Sequence, residues 1–456
     1  MKNLIRQRLG NFITNMVIDY LRGEPYERFE KIIRFATFLD FKKKHTRMLE
    51  TALRKATDRE SRWSEYYLSF IRDLDKKVFK KFLNNLVLKS ILTNSQRIRN
   101  REKFGFPIPW AILLDPTSAC NLKCTGCWAA EYGKTTSLNF EILDSIILEA
   151  KALGVFFFLF SGGEPLIRKV DIIKLCEKHQ DCYFSCFTNG TFIDNDLARE
   201  IRRVGNFAPA LSIEGFENET DFRRGNGTYK KVIEAMDILR DNGVLFGAST
   251  CYHRKNSENL ASDEFVEFMI EKGCRFAWYF TYIPTGTSAL PELIATPDQR
   301  KLMYHRLREM RKEKPLFIVD FWNDGEITNG CIAAGKRFFH INSNGDVEPC
   351  AFIHFSGANI KDVSLKQALS QPLFMEYQKR QPFNHNMLQP CPCLDNPKHL
   401  REMVNISHAK STQAHDRESV EELTRKCEDA AKAWAPVAEE LRLERAGEII
   451  HSEQAV

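Results

Sequence analysis

No stretch of this chain is apolar for long enough to cross a membrane. The longest apolar run, residues 155–160, is the size of a strand and far short of the roughly 20 residues a spanning helix needs. The N-terminus lacks the basic stub, apolar core and small-residue cleavage site of a secretory signal, so the 13 cysteines among 456 residues point to a reducing, cytoplasmic setting rather than to a disulfide framework. No recognisable nucleic-acid-binding module accompanies the basic stretches, and nucleic acid is not an expected partner. A fourth cysteine is also missing beside Cys120, Cys124 and Cys127, which argues against a closed structural zinc site in that segment. What the chain does have is ample core material, with 43% hydrophobic residues.

Short apolar runs at 110–114, 155–160, 182–187, 208–213, 245–250 and 276–282 alternate with helical periodicity at 139–152, 170–178, 194–204, 229–240 and 263–272. That alternation predicts βα units on a parallel sheet, with loops at the carboxyl ends of the strands building the site. The segment Cys120-Asn121-Leu122-Lys123-Cys124-Thr125-Gly126-Cys127 follows the first strand directly. Three thiolates there can hold an iron–sulfur cube by three corners and leave the fourth iron open. Cys176, Cys182, Cys186, Cys251 and Cys274 fall in apolar patterns and read as small buried hydrophobes, and Cys427 suggests no function.

The cysteine spacing, followed by Ser161-Gly162-Gly163-Glu164-Pro165 after the second strand, resembles the radical S-adenosylmethionine (SAM) superfamily. The resemblance implies a partial (β/α)6 barrel of the TIM type, preceded by a helical region and followed by a cluster-binding extension that ends in a helix. It also implies an oxygen-sensitive [4Fe–4S] cluster on Cys120, Cys124 and Cys127, whose open iron chelates SAM so that an electron can release a 5′-deoxyadenosyl radical. The electron would come from a donor such as flavodoxin or ferredoxin. By the same resemblance Gly162, Gly163, Glu164 and Pro165 meet the SAM methionine, where glycines let backbone approach a ligand and a carboxylate suits an ammonium. Valine at either glycine is then expected to weaken SAM binding and leave the cluster assembled.

Further along, Thr188-Asn189-Gly190 resembles a segment facing SAM, which assigns Asn189. Ser212-Ile213-Glu214-Gly215 has Glu214 where relatives carry Asp, and Arg224-Gly225 resembles a pair whose guanidinium grips the SAM carboxylate. Tyr282-Ile283-Pro284-Thr285-Gly286 is similar to a segment that closes around adenine. The residue before the third cysteine is often aromatic in relatives, whereas this chain has Gly126 there and Trp128 one position past the motif, so Trp128 is a candidate to cover the nucleotide or else core.

Beyond the barrel, Cys331, Cys350, Cys391 and Cys393 resemble the auxiliary-cluster extension of the family, in its short Twitch form rather than the longer SPASM form, and would close a second [4Fe–4S] cluster. Only one residue separates Cys391 from Cys393. If one of that pair does not bind, His399 or substrate is the alternative ligand. The Asn-Gly-Asp sequence at 344–346 reads as a tight hairpin between β-like runs. Residues 417–443 read as a helix anchored by Trp434 and Leu441.

The first 103 residues are helical in pattern and carry 25 Lys+Arg against 12 Asp+Glu, a local +13 in a chain of net +6 that leaves −7 for the rest. Lys42, Lys43, Lys44, Lys76, Lys77, Lys80 and Lys81 interleave with Phe35, Phe38, Phe41, Phe79 and Phe82. An amphipathic bundle with a solvated face is the favoured reading, and a surface for an anionic membrane or an acidic leader peptide is the sharper one. The expected layout is a basic helical region at 1–105, a barrel at 106–315, an auxiliary-cluster domain at 316–405 and a helical tail at 406–456. The expected activity is hydrogen abstraction from a peptide or protein substrate. The alternatives are a lipid at the membrane surface and a non-catalytic iron–sulfur or zinc scaffold.

Overall fold

A computed structural model describes Lys31, Asp58 and residues 60–414 and 417–454. Phe35, Phe38, Phe41, Lys42, Lys43 and Lys44 lie outside the described residues. Seven strands run parallel in chain order: β1 (Ala111–Leu114), β2 (Phe157–Phe160), β3 (Tyr183–Thr188), β4 (Phe207–Ser212), β5 (Gly247–Tyr252), β6 (Phe276–Thr281) and β7 (Phe317–Asp320). Six were expected. The seventh, with only three apolar residues before an aspartate, is too brief to register as a periodic run, and it completes the sheet edge by pairing Phe276 with Phe317. On the opposite edge β8 (His340–Ile341) lies parallel to β1, and β9 (Val347–Glu348) folds back antiparallel on β8. The expected hairpin is formed there, with Asn342 Oδ1 accepting from the amides of Asn344 and Asp346 at 3.0 Å and Gly345 at φ +97°.

The strands read as unbroken apolar runs because both faces are covered, as in buried parallel sheets. Ile112, Leu114, Phe158 and Phe160 point outward into the helix layer, while Ala111, Leu113, Phe157 and Leu159 point into the barrel. Before the first strand come α1 (Arg62–Arg72), α2 (Lys76–Lys81) and α3 (Lys89–Phe104), with a seven-residue π-helical stretch, Phe82–Leu88, joining the last two. The outer layer is α4 (Phe140–Leu153), α5 (Lys169–Lys178), α6 (Asn195–Val204), α7 (Glu217–Arg224), α8 (Thr228–Asp241), α9 (Asp263–Glu271) and α10 (Pro297–Glu313). Their starts follow the sequence: the side chains of Asn139, Asp194 and Ser262 accept from backbone amides of the first turns of α4, α6 and α9.

The N-terminal helices close the barrel at the amino ends of its strands. Phe70, Val78 and Phe79 pack with Leu113, Phe157 and Tyr183 into one buried cluster. Lys81 Nζ donates to the Gln180 carbonyl at 2.6 Å, and Lys77 Nζ donates to the Arg203 carbonyl. Within the described part, then, these lysines cap backbone carbonyls and the phenylalanines plug the barrel, which is the packed-bundle reading. The final helix, α11 (Val420–Gln454), folds back across the molecule, burying Trp434 and Leu441 against Tyr304 and Leu388. Trp434 Nε1 donates to the Leu388 carbonyl at 2.9 Å. No helix among the described residues is long and apolar enough to cross a membrane.

Candidate functional site

A cavity of about 270 Å³ opens at the carboxyl ends of the strands, and its wall includes Cys120, Cys124 and Cys127 on one side and Cys331, Cys350 and Cys391 on the other. Both cysteine groups therefore face one space. Aromatic side chains from several strands and loops, among them Phe187, Trp278, Phe280, Phe321 and Trp322, line it as well.

The first three cysteines are half-buried and unpaired. Their loop is held by Lys134, whose Nζ donates to the carbonyls of Cys120 and Leu122 at 3.3 and 3.4 Å. Asn121 Oδ1 accepts from Asn189 Nδ2 at 2.9 Å, so Asn189 ties the end of β3 to the cysteine loop. Burial, with the neighbouring thiols and Glu164, pushes Cys120 up to about 11 against the lowering effect of the Leu122 amide. Among the described residues no three His, Cys, Asp or Glu side chains converge on a point that one metal ion could fill. Three thiols on one loop facing a cavity fit an iron–sulfur cube with one open iron.

The glycine loop lines the cavity and is also packed tightly against the cysteine loop. A Cβ on Gly163 would lie 2.1 Å from the Ala119 carbonyl oxygen and 2.4 Å from that of Ser118, and one on Gly162 would lie 2.5 Å from the Thr117 carbonyl oxygen. The glycines thus make room for the backbone that leads into Cys120, and three ladder-like bonds zip the segments together: Ser161 to Leu114, Gly163 to Thr117 and Glu164 to Ala119, at 2.8 to 3.0 Å. Valine here therefore threatens the cluster loop itself. Glu164 is buried, its carboxylate accepting from Leu166 N, Thr188 Oγ1 and Asn189 N at 2.7 to 3.0 Å, and burial holds its pKa above the usual carboxylate range. A buried carboxylate with no directly bonded cation suits an ammonium ligand. Pro165 begins the short helical turn Pro165–Arg168 and is buried beneath the loop.

Glu214 and Arg224 meet each other rather than standing apart. Glu214 Oε1 accepts from Arg223 Nη1 at 2.6 Å and from Arg224 Nε at 2.8 Å, while its Oε2 accepts from the Cys251 amide at 2.9 Å. Burial opposes its charge, but the two guanidiniums win and hold it at about 2. The extra methylene of Glu214 over Asp is what lets one carboxylate reach both arginines. Arg223, which sequence reading passed over, lines the cavity with its buried Nε unpartnered. Two arginines against one carboxylate leave a net positive charge beside the thiols. Ser212 lines the cavity as expected, and so does Cys251, expected in the core.

Trp128 packs edge-on against Tyr132, His340, Phe352 and His354 and so bridges the barrel to the C-terminal extension. The space over Gly126 belongs to Tyr282, whose Cε2 would lie 2.6 Å from a Cβ at that position. The aromatic residue missing from the motif is supplied from the end of β6. Tyr282 Oη accepts from the Leu290 amide at 3.1 Å.

Of the four C-terminal cysteines, three line the cavity and one does not. Cys393 is fully buried, with its Sγ 3.8 Å from Cys427 Sγ on α11. It stays close enough to Cys391 and Cys350 to interact with them, while Pro392 takes the place on the cavity wall. His399 packs against Phe383 at 5.9 Å and lies outside the cavity wall. Behind the site, His340 lies 2.6 Å from Glu348 and 2.9 Å from Asp115, and Tyr132 Oη donates to Glu348 at 2.6 Å. Burial alone would lower the His340 pKa, but two carboxylates raise it to about 10. Its stabilisation is then complete below its unfolded pKa near 6.5 and is lost as pH rises through about 10. The urea midpoint of the protein should fall between pH 7 and 10, and a His340→Gln variant, less stable at pH 7, should lose that slope. An unchanged slope would show that the ring is uncharged.

Residues 114–262 match the radical SAM superfamily and residues 331–394 match an iron–sulfur cluster-binding domain of the SPASM type. The chain thus carries a radical SAM domain followed by an auxiliary-cluster domain. Together they make the protein a SAM-dependent iron–sulfur enzyme. It is 24% identical over 289 residues to an AdoMet-dependent heme synthase of Methanosarcina barkeri, covering 57% of this chain and 81% of that protein. It is 24% identical over 254 residues to the PqqA peptide cyclase of Granulibacter bethesdensis, covering 53% of this chain and 67% of the cyclase. The fold is shared with Streptococcus suis SuiB bound to the precursor peptide SuiA, at TM-score 0.55 and 21% identity over 72% of this chain and 79% of SuiB.

Proposed function

We propose that this enzyme abstracts hydrogen from an unactivated carbon of a peptide or protein substrate whose apolar side chain enters the cavity between the two cysteine groups. The observation that carries this reading is the shared, largely apolar cavity. Its walls remove an apolar group from water and exclude water from a reactive site. Similarity to a peptide cyclase supports a peptide as the class. Cys120, Cys124 and Cys127 hold the SAM cluster, and Cys331, Cys350 and Cys391 face the auxiliary one. When bound, SAM and its cluster supply reductive sulfonium cleavage and hydrogen abstraction.

The chain's own residues position the cofactor. Glu164 offers its buried carboxylate to the SAM ammonium, with Asn189 and Pro165 fixing its loop. Arg223, with an unpartnered Nε, is better placed than Arg224 to meet the SAM carboxylate, because Arg224 gives both Nε and Nη2 to Glu214. Ser212 and Tyr282 border the nucleotide, and Trp128 holds the extension against the barrel. Reduced protein incubated with SAM and deuterated candidate peptides should yield deuterium in 5′-deoxyadenosine. Absence of transfer from every peptide, with SAM still cleaved, would overturn the peptide reading.

A lipid substrate is the second reading. Val87, Leu88, Leu92 and Ile98 are exposed on the π-helical stretch and α3, beside Arg99, Arg101 and Lys103. Apolar side chains interleaved with cations suit an anionic bilayer surface. Binding to phosphatidylglycerol vesicles that weakens with salt, the Debye length being about 8 Å near physiological ionic strength, and that drops in a Leu92→Glu variant would favour it. Salt-independent or absent binding would remove it.

A further inference from the structure

We infer that Glu418 and Lys426, at the start of the last helix, are positioning residues for SAM: they latch the loop after β6 and so fix the cavity wall beside the first cysteine group. The inference rests on the reading that SAM binds at that group. Four strands separate β1 from β6 in the sheet, yet the loops that follow these two strands meet at its carboxyl end. Glu131, on the short helical turn Trp128–Tyr132 that comes after Cys127, accepts from Ser288 Oγ at 2.9 Å. A Cβ on Gly286 would lie 2.1 Å from Glu131 Cδ, so a glycine is what lets the two segments touch.

The C-terminal segment holds this seam from outside. The Gly286 amide donates to Glu418 Oε2 at 3.0 Å, the Gly286 carbonyl accepts from Lys426 Nζ at 2.6 Å, and the two side chains form an ion pair. Both polar groups of one residue are thus gripped by one pair. Glu418 is buried and Lys426 half-buried. The Glu418 amide donates to Gln413 Oε1 at 2.8 Å, and the Ala414 amide donates to the Glu131 carbonyl at 3.0 Å, so the same segment also touches the β1 side of the seam. A buried ion pair adds little stability over apolar side chains of the same shape. What this one adds is a fixed place for Gly286. That place is transmitted to the cavity by Tyr282 and Ile283, which line it. Tyr282 Oη accepts from the Leu290 amide, tying the two ends of the loop, and its ring stands over Gly126 between Cys124 and Cys127. A loop released at Gly286 would therefore let Tyr282 move away from the cysteine motif.

The test uses the full chain with its clusters assembled. Glu418→Leu combined with Lys426→Met keeps the two shapes and leaves no buried charge unpaired. This double variant should keep the iron content of the wild type. Its affinity for SAM, measured by equilibrium dialysis, should fall about tenfold, the size expected from one or two lost hydrogen bonds. The KM for SAM in 5′-deoxyadenosine release should rise by the same factor, with kcat little changed. Lys426→Arg keeps the donor and the charge and should bind SAM as the wild type does. In the unsubstituted protein, adding SAM should slow hydrogen exchange at both 282–290 and 413–426, because one latch joins them. SAM affinity within about twofold of wild type in the double variant, well under the loss of a single hydrogen bond, would overturn the inference whatever the thermal midpoint does. So would protection by SAM of 282–290 without 413–426, a result read with no substitution at all. Failure of the wild-type protein to bind SAM would instead strike the reading on which the inference rests.

Discussion

Alanine at Cys120, Cys124 or Cys127 is expected to abolish SAM cleavage, measured as 5′-deoxyadenosine and methionine released by the anaerobically reduced protein. Each of the three sulfurs faces the cavity from one loop, and the same loop carries no spare cysteine. Removing one leaves the cube two protein anchors. Iron should fall from about eight to about four per chain, the auxiliary cluster remaining. The loop should otherwise survive, because Lys134 and the Asn121–Asn189 bond hold it through groups other than the thiols. Cleavage at the wild-type rate in any of the three variants would overturn the assignment of that cysteine. Cleavage in the triple variant would overturn the site.

The second large effect is expected at Gly163. Its added Cβ would stand 2.1 Å from one carbonyl oxygen and 2.4 Å from the next, both on the backbone that delivers Cys120. No side chain is available to swing away, so the backbone has to move. Overpacking of this kind costs about 1–3 kcal/mol, occasionally more, and here the strain falls on the cluster loop. Gly163→Val should therefore lower the thermal midpoint and reduce iron towards four per chain, instead of merely weakening SAM binding. A variant that keeps all its iron and loses only SAM affinity would restore the simpler expectation, in which the glycine makes room for the ligand. Gly162→Val should behave similarly, with the further penalty of placing a β-branched residue at φ +102°.

The sheet order was legible because a parallel sheet covered on both faces leaves continuous apolar runs, and those at 155–160 and 276–282 contain β2 and β6 whole. The run of β7 was too short, and β8, with its hairpin partner β9, owes its place in the sheet to pairing with a strand more than 200 residues earlier, Leu114 with Ile341. Local patterns record propensity and amphipathicity but not partners. For the same reason Arg224 was legible as a site residue, yet its engagement by Glu214 was not, since only the turn at the end of β4 brings them within 2.8 Å.

The sequence alone determined the class of chemistry. Cys120, Cys124 and Cys127 sit on one short loop, so their spacing by itself brings three thiolates to one side of a cluster, and alternating strand and helix patterns place that loop at the carboxyl end of a strand. Everything that depends on which way a side chain faces across distant segments was decided by the tertiary structure. It set Tyr282 over Gly126, filled the barrel's amino end with Phe70 and Phe79, and joined Asp115, His340 and Glu348 in one buried charge group. It also divided the last two cysteines of the extension, sending Cys391 to the cavity and Cys393 to Cys427, 34 residues onward. Spacing along the chain limits what a residue can reach locally, but packing of the folded core selects which of two neighbouring thiols lines the cavity.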